Sequence, residues 1–168
     1  MTLPRDLPAH FHHPAVTFAA LRAELTREAE ARRRTYPGQI DKGRMTAQDA
    51  AWQHGVLAAI AQDLEAVIAL QVPALPSCPY SWADKRSALT RELDQRRRFY
   101  PGWIAKGRMD QDQASRQIAA LAAMLALYND GLRWLPAPGS TAEQRAAQWR
   151  ETMEALAQQT APQEALAL

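Results

Sequence analysis

The stretch RRRFYPGWIAKGRMD, residues 96–110, decides the fold, because the chain has already spelled it once as RRRTYPGQIDKGRMT, residues 32–46. The two phrases stand 64 positions apart. Carried outward at that shift, residues 18–66 lie over residues 82–130 without a gap. Arg22 meets Arg86, and Leu25-Thr26-Arg27-Glu28 meets Leu89-Thr90-Arg91-Glu92. Beyond the shared phrase Ala50 meets Ala114, Gln53 meets Gln117 and Leu57 meets Leu121. An internal duplication of this kind sets the architecture before any single element does.

Each copy reads as helix, turn, helix. Phe18, Leu21, Leu25, Ala29 and Tyr36 in copy one, and Trp82, Leu89, Leu93 and Tyr100 in copy two, recur mostly at helical spacing and make one apolar face. Pro37 and Pro101 oppose continuation of that helix, since proline lacks an N–H and crowds the preceding turn. They are expected to open a short turn with Gly38 or Gly102, which Gly43 or Gly107 ends in the left-handed conformation. Thr46 with Asp49, and Asp110 with Gln113, then read as caps of a second helix. Its apolar stripe runs through Val56, Leu57, Ile60, Leu64, Val67 and Ile68, or through Ile118, Leu121, Met124, Leu125, Tyr128 and Leu132.

Prolines 73, 76 and 79 make residues 70–81 a stiff extended linker. PAPGS at 136–140 is a second break, after which Ala142, Ala146, Trp149, Met153 and Leu156 form a narrow stripe on a fifth helix. Residues 1–14 and 160–168 read as loosely held ends. The expected fold is all-α: one domain over 1–168, with hairpin repeats over 15–70 and 80–134 and a C-terminal helix over 140–159, forming a helical bundle. The fifth helix has two outcomes, capping the bundle or pairing with a second copy in a homodimer.

Of 168 residues, 47% are apolar and 23% charged, and helix-favouring residues outnumber β-branched ones, as in a soluble helical domain. No apolar run reaches the ~18–20 residues of a membrane helix, and the N-terminus has no signal-peptide core, so no membrane partner is expected. Cys78 is the only cysteine, which excludes an intrachain disulfide and favours a reducing cytoplasm.

Net charge is only +2, but half of the 20 basic residues fall at the two turns. Arg32, Arg33, Arg34, Lys42 and Arg44 crowd the first, and Arg96, Arg97, Arg98, Lys106 and Arg108 the second, with Asp41 the only acid among them. Three consecutive arginines span nearly a full helical turn, so at least one must face the partner helix or the turn. Guanidinium groups beside the N-terminus of the second helix suit a phosphate or carboxylate, and Phe99 and Trp103 offer a face for a base. The structural alternative has the arginines stabilising the helix C-terminus and pairing with Glu28 and Glu92 one turn back.

The phrase R-R-x-x-Y-P-x-W-[VI]-x-x-G-R-M, followed by a helix with A-x-x-[QE]-I-x-x-[ML], resembles a group of small uncharacterised proteins of tailed phages and prophages, which usually carry one copy. Here the resemblance covers residues 18–66 and 82–130. Copy two is the closer, with Arg97, Tyr100, Pro101, Trp103, Ile104, Gly107, Arg108 and Met109; copy one has Gln39 where the tryptophan stands. The resemblance implies a phage or prophage accessory protein in a bacterial cytoplasm, and it brings no chemistry with it.

Residues for catalysis do not assemble. His10, His12 and His13 lack further ligands at metal-site spacing, His54 is matched by Ile118, Cys78 has no activating neighbour, and no glycine-rich phosphate loop occurs. Glu24, Glu28 and Glu30 read as a helix face without the E-x-x-H of a di-iron site. The expectation is a protein without enzymatic activity or cofactor. Its basic turns, through Arg33, Arg34, Lys42, Arg44, Arg97, Arg98, Lys106 and Arg108 with Trp103, bind nucleic acid or an acidic protein surface. An adaptor or inhibitor directed at a host or defence protein is the alternative. Hairpins lying side by side would merge the basic ends, and hairpins packed head to tail would separate them.

Overall fold

The computed structural model describes residues 8–10, 12–69 and 79–130, together with Gln144, Ala147 and Glu151. Among these, two short strands, β1 (Pro8–His10) and β2 (His13–Thr17), precede four helices: α1 (Phe18–Asp41), α2 (Ala47–Ile68), α3 (Trp82–Ala105) and α4 (Gln111–Asn129). The duplicated segments are therefore helix pairs, and the fold is a helical bundle.

Each helix starts where a side chain can satisfy its unpaired N–H groups. Thr46 with Asp49 and Ser81 with Asp84 form reciprocal capping boxes, and Asp110 accepts from the Gln113 N–H at 2.6 Å. Each first helix ends the same way. Gly43 and Gly107 have φ of 65° and 64°, which only glycine adopts without strain. The Gly43 N–H then donates to the Ile40 carbonyl and the Arg44 N–H to that of Gln39, and Gly107 and Arg108 repeat this with Ile104 and Trp103. Two carbonyls at each helix end are thereby satisfied.

The prolines do not end these helices, contrary to expectation. α1 continues through Pro37 to Asp41, and α3 through Pro101 to Ala105. Proline's φ is already helical, and both prolines are exposed, as are Arg33 and Arg97 one turn back, whose carbonyls lose the N–H partner. Tyr36 and Tyr100, one residue earlier, are buried and donate to Gln53 Oε1 (2.7 Å) and Gln117 Oε1 (2.6 Å). That bond ties the last turns to the second helix of each hairpin.

α1 packs on α2 and α4, and α3 packs on α4 and α2. One apolar cluster draws on all four helices, with Leu21 and Leu25, Val56, Ile60 and Leu64, Leu89 and Leu93, and Leu121, Met124 and Leu127 among its members. Inside this core lies a polar triad. Lys85 Nζ donates to Asp63 Oδ2 at 2.6 Å, and the Tyr128 hydroxyl donates to the same oxygen at 2.5 Å. All three residues are buried. Their counterparts in the other copy are Leu21, Leu127 and Leu64, also buried.

The N-terminal segment is not loose where it is described. β1 and β2 pair antiparallel, and buried His10 places Nε2 2.6 Å from Asp130 Oδ2 at the end of α4. Because His10 Nδ1 accepts the His12 N–H, Nε2 carries the proton and donates. Of the linker expected over 70–81, residues 70–78 lie outside the described residues, as do the expected end at 160–168 and, apart from Gln144, Ala147 and Glu151, the fifth helix expected over 140–159. No helix among the described residues is long and apolar enough to cross a membrane.

Candidate anion-binding interface

The arginine triplets divide by burial. Arg32 and Arg96, the first of each, are buried; Arg33, Arg34, Arg97 and Arg98 are exposed. On α1 the positions Leu21, Leu25, Glu28, Arg32 and Tyr36 fall on one stripe, so the apolar face turns polar as it nears the hairpin end. α3 does the same through Leu89, Leu93, Arg96 and Tyr100, with Glu92 beside them.

These inward residues tie the hairpins together. Arg32 donates to Glu28 Oε1 on its own helix (2.8 Å), to Glu92 Oε2 across the bundle (3.3 Å) and to the Gln53 carbonyl (2.8 Å). Arg96 mirrors it, donating to Glu92 Oε1 (3.0 Å), Glu28 Oε2 (2.8 Å) and the Gln117 carbonyl (3.3 Å). Arg96 also binds Glu24, which Arg27 holds from the other side at 2.6 Å. Each guanidinium thus spends its donors on several acceptors, which is what lets a charged group remain buried. Burial opposes ionisation of Glu28, but the Arg32 hydrogen bond and the charges of Arg32, Arg96 and Arg27 hold its carboxyl below the ordinary carboxylate value. Burial likewise works against the Arg96 charge, and Glu24, Tyr100 and Glu92 outweigh it, so its pKa rises. Burial raises the pKa of both Tyr36 and Tyr100.

The other turn cations stand apart from this layer. Arg33, Arg34, Lys42 and Arg44 on the first turn, and Arg97, Arg98, Lys106 and Arg108 on the second, are all exposed. None has a carboxylate partner among the described residues. Arg98 lies over the Phe99 ring at 5.4 Å. Trp103 is 42% exposed and rests against Tyr100, ring centroids 5.4 Å apart. A groove of about 450 Å³ is lined by Tyr36, Gln39 and Met45 from the first hairpin and by Phe99, Tyr100 and Trp103 from the second. The two turns therefore border one groove, as side-by-side hairpins require.

The Glu28–Arg32 and Glu92–Arg96 pairs were legible as one-turn spacings, but their exchange between hairpins was not. The signal was present: both pairs continue the apolar stripe instead of leaving it. His54 sits half-buried against Tyr36, centroids 5.0 Å apart, in the packing position its Ile118 counterpart suggested. Among the described residues no group of three or more His, Cys, Asp or Glu is placed to hold a metal. Searched against protein-family models, curated proteins and solved structures, the chain matches none.

Proposed function

We propose that this protein is a non-enzymatic accessory module of phage or prophage type whose cationic turns bind nucleic acid. One observation carries the reading: eight exposed cations, at two turns that the Arg32–Glu92 and Arg96–Glu28 bonds bring to one end of the bundle, have no carboxylate partner among the described residues, while Arg32 and Arg96 in the same phrases are engaged. The inner pairs hold the hairpins together, which leaves the outer cations free to meet phosphates. A short labelled nucleic acid titrated at several salt concentrations tests this. Several phosphate contacts give a steep loss of affinity with salt, and Arg97→Ala/Lys106→Ala/Arg108→Ala removes most of that binding with helicity unchanged. Weak binding that is flat with salt would retire the reading.

A second reading, an adaptor or inhibitor that docks on an acidic protein surface, is favoured by the exposed aromatics Trp52, Phe99 and Trp103. Aromatic and arginine side chains dominate protein–protein hot spots. Under that reading the same triple variant loses a purified host partner and leaves nucleic-acid affinity untouched.

A further inference from the structure

The two copies differ in how they treat equivalent arginines. On α1, Arg22 pairs with Glu65, and Arg27 pairs with Glu24 and Glu28. The counterparts on α3 are Arg86 and Arg91. For Arg86 the carboxylate position is taken by Asn129, and for Arg91 the position of Glu24 is taken by Ala88. Arg86 and Arg91 are exposed and have no carboxylate partner among the described residues. Arg91 lies instead over the Trp52 ring at 5.8 Å.

These freed arginines share one surface. A groove of about 710 Å³ follows the outer face of α3, lined by Arg86, Arg91, Arg98 and Phe99, with Asn129 also in its lining and Asp94 the one acid there among the described residues. From Ala83 to Phe99 the face is about 24 Å long at ~1.5 Å per residue. Phe99 also lines the groove between the turns, where Trp103 follows. Copy one has Thr35 and Gln39 at the positions of Phe99 and Trp103. Compared with copy one, copy two has Ala88 and Asn129 in place of two carboxylates and carries Phe99 and Trp103 on α3.

We infer that the α3 face, from Arg86 past Arg91 and Arg98 to Phe99 and Trp103, is a track for an unpaired nucleic-acid strand. This rests on the function proposed above and narrows its partner. The arginines neutralise the strand's phosphates. Phe99 and Trp103 stack on its bases, which a duplex keeps inside its own stack and a single strand exposes. The α1 face, with Arg22 and Arg27 already paired and no aromatic at either position, has no such role.

The test compares a labelled oligothymidine of about 12 nucleotides, within the ~4–16 typical of single-strand sites, with a duplex of equal length, by fluorescence anisotropy across a salt series. The wild-type chain is expected to prefer the single strand by about tenfold, the scale of a stacked base. Arg86→Ala/Arg91→Ala lowers the slope of log affinity against log salt by about 1.4, two contacts at ~0.7 each. Phe99→Ala/Trp103→Ala erases the preference for the single strand and leaves the slope in place. Arg22→Ala, the matched change in copy one, behaves as wild type. All these residues are surface positions, and circular dichroism checks that each variant keeps its helices. An unchanged slope in Arg86→Ala/Arg91→Ala, or a preference that survives loss of both aromatics, overturns the track; if the turn triple variant still abolishes binding, the turns alone remain the site. Failure of the wild-type chain to bind either probe overturns both.

Discussion

Copy one and copy two share a backbone plan and divide its chemistry. Both keep the first-helix C-terminal glycine, the tyrosine bonded to a second-helix glutamine, and the inward arginine that crosses to the other hairpin. Those shared parts hold the bundle. The halves part company elsewhere: Glu24 against Ala88, Glu65 against Asn129, Gln39 against Trp103, and a buried leucine set against Asp63, Lys85 and Tyr128. Once duplicated, one half can pair its Arg22 and Arg27 while the other leaves Arg86 and Arg91 exposed, because the fold depends on neither choice.

That comparison can be broken most forcefully in the inward layer. Arg96→Ala leaves Glu24, Glu28 and Glu92 each short of a partner, and we expect a loss of about 3–5 kcal/mol in urea unfolding. Arg32→Ala should cost less, since Arg96 still serves Glu28 and Glu92; equal losses would mean that the two arginines are interchangeable after all. Next comes the polar triad. Asp63→Leu alone strands a buried ammonium and should cost about 3 kcal/mol. Adding Lys85→Leu and Tyr128→Leu, which copies the other half, should restore stability to within about 1 kcal/mol of wild type. A triple variant no better than the single one would show that the leucine solution does not transfer between halves.

The gentlest perturbation is acid. Glu28 has an ordinary value of 4.5 and a lower one in the folded chain. Its contribution is therefore complete above 4.5 and is lost as the pH falls through the lower, folded value. Glu28→Gln should flatten the acid limb of a stability-against-pH curve measured by chemical denaturation. An acid limb of unchanged steepness would place the sensitivity elsewhere.

Sequence reading recovered what depends on neighbours a few residues apart. Thr46 and Asp49 declared a cap, Gly43 and Gly107 a left-handed stop, and the duplication itself declared paired hairpins. It misjudged Pro37 and Pro101, because whether a helix tolerates proline depends on which side faces solvent and on the tyrosine bond to a residue 17 positions on. It saw that one arginine of each triplet must turn inward, but not that Arg32 reaches Glu92 or Arg96 reaches Glu24, since those partners lie on the other hairpin. The Lys85–Asp63–Tyr128 triad was invisible for the same reason: nothing local marks a lysine on an apolar stripe as buried. His10, taken for part of a loose end, is held by Asp130, 120 residues away.

The triad also bears on loyalty between the halves. Supplied as separate peptides, two copies of the first half would set Asp63 against Leu21, and two copies of the second would set Lys85 against Leu127. Either self-pairing strands a charge in oil, and only the mixed couple satisfies both. A repeat that began as a match for itself has become monogamous.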